Sequence, residues 1–229
     1  MTRVAWEEAV RRLLDDVYTF AATGPRTRAG WQRDALAVMR RDAEDPRGWI
    51  TLDWDRSNDA RQAGSPLWYP FVPLSAEGLE RRLYPVTSGT AVRLLVEMTY
   101  EWGPAGTEER TRAAFADARS VLHRYGDRVS CYSNVSAARE SPSPDLTKGV
   151  TGWYSLTEFI GDFGFVVVSS EEVGVYWSFD ASEAPKCRVT TRKGRPAPPA
   201  PVEDAARRVR PDRGGPGART GAAVTVGAV

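Results

Sequence analysis

The sequence predicts an α+β domain, a mostly antiparallel mixed sheet with helices packed on one side. Three observations carry that reading. Thr90–Trp102 places Val92, Leu94, Val96, Met98, Tyr100 and Trp102 on one side at period two, and Arg93, Glu97, Thr99 and Glu101 on the other. Leu95 is the one exception, and the pattern is that of a half-buried strand with one wet face. From Thr90 onward the order reads strand, helix, strand, helix, hairpin. Ahead of it stand two helical patterns, an N-terminal helical pair.

In chain order, residues 3–22 read as an amphipathic helix with Trp6, Val10, Leu13, Leu14, Val17 and Tyr18 on one face, stopped by Gly24-Pro25. A second helix runs from about Arg28 to Asp42 and ends before Pro46. Residues 49–55 alternate Ile50, Leu52 and Trp54 against polar partners, which fits a strand. Three prolines break up the aromatic stretch SPLWYPFVPL, so it cannot be a central strand, because proline removes a ladder donor. A short helix follows from Ser75 to about Leu83, stopped by Pro85.

After the 90–102 strand, Thr107 is a good N-cap, with Glu108 and Glu109 where carboxylates favour the helix dipole. Gly126 suits the position just past that helix. Residues 128–135 read as a strand and 136–150 as a Ser/Pro-rich loop. Ser155-Leu156-Thr157-Glu158 has the spacing of a capping box, which predicts a helix through Phe163. Strands near 164–170 and 173–180 close the domain around a turn at Ser170-Glu171-Glu172, with Val173, Val175, Trp177 and Phe179 sharing a face.

These elements place one domain over residues 1–183, with a helical subregion at 1–46 and the sheet within 47–183. Residues 184–229 are rich in Pro, Gly, Ala and Arg, carry no apolar periodicity, and read as a disordered basic tail. The whole chain has 31 Lys/Arg and 30 Asp/Glu. Ten of those bases and three of those acids fall in the tail, a net of +7, which leaves residues 1–183 at −6. An acidic globule with a basic tail is therefore the electrostatic description. Only three of the basic residues are lysines, which points to a GC-rich, actinobacterial genome. The charged N-terminus is unlike a signal peptide, and no apolar run approaches the roughly 18–20 residues of a membrane span. Cys131 and Cys187 form no disulfide framework, so the expectation is a reduced, cytoplasmic protein with no membrane association.

The chemistry-bearing residues are sparse. A single histidine, His123, excludes multi-histidine metal centres and is read as a helix C-terminal cation. Nothing near Cys131 lowers a thiol pKa, so it reads as a small core residue. Glu97 and Glu101, on one strand face, stand ~13 Å apart at the backbone, too far for a glycosidase pair. Asp53 and Asp55 sit about 7 Å apart on one strand face, with Asp59 close behind, and offer oxygens for Mg²⁺ or Ca²⁺. The spacing fails as an EF-hand, because Asn58 occupies the glycine position and Gly64 the glutamate position. The tail lacks interleaved aromatics and a folded scaffold, so a nucleic-acid role through it ranks only third among the readings.

The expected function is a non-catalytic binding or interaction protein without a cofactor, an inhibitor or immunity-type partner of a basic protein being one version. Trp68, Tyr69 and Phe71, set between Pro66, Pro70 and Pro73, are the expected contact residues. The alternative is a carboxylate- or divalent-metal-dependent enzyme using Asp53, Asp55 and Asp59 with the glutamates of the sheet face.

Overall fold

The computed structural model of the chain describes residues 3–14, 19–43, 69–99 and 107–180. The strand expected at 49–55 and the tail expected over 184–229 lie outside these residues. Among the described residues the order is α1 (Arg3–Leu14), β1 (Thr19–Pro25), α2 (Trp31–Met39), α3 (Ala76–Glu80), β2 (Tyr84–Val86), α4 (Ser88–Glu97), α5 (Glu108–His123), β3 (Ser130–Ser133), a 3₁₀ turn (Ser136–Arg139), β4 (Ile160–Val168) and β5 (Glu172–Asp180). The strands form one sheet in the order β1-β5-β4-β3-β2, every neighbouring pair antiparallel. The α+β class and the antiparallel sheet are as the sequence indicates.

Both faces of the sheet are covered. Ala21, Cys131, Phe165, Val167 and Tyr176 pack with α1, α4 and α5 in one core. Their strand neighbours Phe20, Ala22, Val166, Val168, Val175 and Trp177 pack with α2 and α3 in a second. Placement of helices on one side thus holds for α1, α4 and α5 only. Burial on both faces explains the unbroken apolar run FVVV of β4, since neither set of alternate side chains meets water. Fully burying each large apolar side chain stabilises the fold by roughly 1.5–3 kcal/mol.

The stretch Thr90–Trp102 is not a strand. Residues 88–97 form α4, and the residues from 100 onward in that stretch lie outside the described ones. Thr87 caps the helix, its hydroxyl accepting the Thr90 amide at 3.2 Å. Ala91, Leu94, Leu95 and Met98 follow at helical spacing, and all are buried. Leu95, the exception to the strand pattern, is fully buried. The helix lies between the sheet and α5, so apolar residues occupy more than one of its faces and a period of two arises by coincidence.

Of two other expected helices, one is shorter and one is absent. The first ends at Leu14, and Thr19–Pro25 joins the sheet as β1, so the N-terminal subregion supplies a strand as well as a helical pair. Thr19, Phe20 and Thr23 favour extended backbone, and pairing with β5 outweighs the weak helical periodicity. Gly24 is needed there, because a Cβ would lie 2.8 Å from Ala43 Cβ and 2.9 Å from Val38 Cγ2. The helix expected at 155–163 is absent, and β4 begins at Ile160. The Leu156 and Thr157 amides donate to the Asp162 carboxylate, both at 2.7 Å, in place of a helical capping box.

Local signals hold elsewhere. Thr107 caps α5, accepting the Arg110 amide, and Gly126 past its end has φ +83°. The β4–β5 turn is Ser170-Glu171, with the Ser169 amide donating to the Glu172 carbonyl at 2.9 Å. Pro85 sits in β2, at one end of the strand order, where proline disturbs the ladder least. No helix among the described residues is long and apolar enough to cross a membrane.

Candidate functional site

Of the chemistry-bearing residues, Cys131, His123 and Glu97 lie among the described ones. Cys131 is buried on β3, and desolvation pushes its thiol up to about 12, where almost no thiolate forms at neutral pH. His123 is exposed in the last turn of α5. Among the described residues no three His, Cys, Asp or Glu side chains gather as a metal site. Glu97 is not on a wet sheet face. It lies in α4, 6% exposed, and accepts from Arg93 Nε at 2.7 Å. Glu101, Asp53, Asp55, Asp59 and Trp68 lie outside the described residues.

The aromatic loop divides. Phe71 is only 5% exposed and packs edge-on against Phe20 at 5.1 Å and Trp177 at 5.7 Å. It also bridges to Thr157, and the Val72 amide donates to the Leu156 carbonyl. Phe71 is therefore core, which corrects its expected role as a contact. Tyr69 stays half-buried, its ring 5.6 Å from Phe159 and 6.2 Å from Phe179. The Arg41 guanidinium donates to the Tyr69 carbonyl at 2.9 Å and fixes the start of the described loop.

Beside Tyr69 the segment Glu158–Ile160 reaches the surface. Phe159 is half-buried against Phe179, Glu158 is exposed, and Ile160 is 59% exposed. Among the described residues Ile160 is the large hydrophobic side chain that remains open to water. Asp180 lies opposite Ile160 in the β4–β5 register, so acidic residues flank the apolar spot.

The residue that shapes this corner is Asp162, which is fully buried. Its carboxylate accepts the amides of Leu156 and Thr157 and the Trp177 indole N–H. Burial raises its pKa, and the hydrogen bonds from the Trp177 indole, the Thr157 and Leu156 amides and the Thr157 side chain pull the other way without cancelling that effect. Asn134 extends the network, donating to the Asp162 and Tyr154 carbonyls and accepting from the Gly164 amide. The capping-box spacing had hidden this arrangement, because the acid that satisfies the amides comes from the following strand. Ile160 carried no signal of exposure in the sequence, where helical spacing placed it on an apolar face.

No protein-family model matches the chain, and no curated protein or solved structure matches it.

Proposed function

We propose that the chain is a non-catalytic binding protein that docks on a basic protein partner through Ile160, Phe159 and Tyr69. The exposure of Ile160 carries the reading. An isoleucine held in water at the end of a strand loses transfer energy that a partner would recover. Phe159 and Tyr69 add aromatic area that is already ordered against Phe179, so little entropy is lost on docking. Glu158 and Asp180 at the rim, and the net −6 of residues 1–183, favour a partner of opposite charge.

The test is affinity capture with wild type and Ile160→Asp as paired baits, followed by reconstitution from purified components. A basic protein held by wild type, released by salt and bound at least about tenfold more weakly by Ile160→Asp supports the reading. Equal binding to both baits overturns it. Wild-type self-association in sedimentation that Ile160→Asp abolishes also overturns it, since a second copy would then be the occupant.

A further inference from the structure

On the sheet face carrying the second core, α2 and its C-cap residue Arg40 place Arg33, Leu36, Ala37 and Arg40 along one stripe, at the i, i+3, i+4, i+7 spacing of a single helix face. That stripe lines a cleft of about 380 Å³ together with Ser75, Ala76, Glu77, Arg28 and Asp42. The volume lies within the range of small-molecule sites. Its floor is apolar: Leu36 and Ala37 are each 5% exposed. Arg33 and Arg40 flank that floor, separated by seven residues or about 10 Å along the helix axis.

The charge of the cleft runs against that of its surroundings. Three guanidiniums face two carboxylates, within a region of 1–183 that holds more acids than bases. Glu77 lies below its usual range chiefly through its own backbone amide and the Ser75 hydroxyl, with Arg33 contributing less. Asp42 is exposed beyond the last turn of α2. Of the arginines, Arg28 leans towards buried Asp34 at 3.7 Å, and Arg40 donates to the Leu74 carbonyl at 3.4 Å. Arg33 is exposed and lines the cleft. Guanidiniums grip oxyanions with paired N–H donors.

We infer that this cleft binds a small ligand with oxyanion groups, phosphate or carboxylate, at two ends, held by Arg33 and Arg40 across the Leu36–Ala37 floor. The stripe on α2 sets the spacing of the charges, and the apolar floor accepts the carbon or bridging portion between them. The inference is independent of the Ile160 surface, since none of the residues there lines the cleft.

Calorimetric titration of the full chain with pyrophosphate and, separately, with glutarate tests it, at ionic strength matched with sodium chloride. Saturable one-to-one binding is expected for one probe, weakened at least about tenfold in Arg33→Ala. Arg33→Lys should recover only part of the loss, because lysine keeps the charge but not the planar fork. Binding of pyrophosphate alone assigns the site to phosphates, and of glutarate alone to carboxylates. Ile160→Asp should bind the probe as wild type does. No saturation with either probe by about 10 mM, or equal affinity in Arg33→Ala, overturns the inference.

Discussion

The Asp162 carboxylate accepts the Trp177 indole N–H at 2.6 Å, with both side chains fully buried. This contact ties β4 to β5 beneath the second core, and the same carboxylate holds the segment that carries Phe159 and Ile160. Asp162→Ala would strand three buried donors. It should lower stability by at least about 3 kcal/mol in chemical denaturation. A loss under about 1 kcal/mol would show that the loop and indole find other acceptors.

The pH dependence of that site has a definite sign. Burial raises the Asp162 pKa in the folded protein, so the native state binds this proton more readily than the unfolded chain. Its contribution is fully present below the ordinary aspartate value of about 3.9 and is lost as pH rises through the raised folded value. Asp145, held low by the Thr147 amide, acts in the opposite sense, losing its contribution on acidification. Subtracting the stability of Asp162→Asn from that of wild type across pH isolates the first effect. The difference should fall as pH rises through that window.

Glu97 belongs to the interior of α4. With Arg93 as its partner and 6% exposure, Glu97→Ala should cost about 1–2 kcal/mol, well above the near-zero effect of a solvent-facing strand residue. Val96→Ala and Met98→Ala, both at buried positions, should cost roughly 1.5–4 kcal/mol. Thr87→Ala should cost about 1 kcal/mol through the lost cap. An unchanged unfolding midpoint in Thr87→Ala would contradict the helical start at Ser88.

Cys131 should be chemically silent in the folded protein. In a Cys187→Ser background, a thiol-specific reagent at neutral pH should label Cys131 only after denaturant is added, because the side chain is buried and its thiol lies near 12. Labelling as fast as that of a free thiol under native conditions would show that β3 opens readily.

What the sequence by itself determined is local. Thr107 with Glu108 and Glu109, then Gly126, marks both ends of α5, since caps and left-handed stops depend on residues a turn apart. The alternation of Val173, Val175, Trp177 and Phe179 marks β5, and the mixture of such patterns is enough for the α+β class. Tertiary structure decided the rest. Periodicity separates helix from strand least well in elements buried on more than one side, as α4 and β4 are. Whether Thr19–Pro25 continues a helix or joins a sheet depends on a partner strand some 150 residues away. The roles of Asp162, Ile160 and the arginines of the cleft arise the same way: each depends on which distant backbone lies beside it, and a single chain read in order carries no record of that.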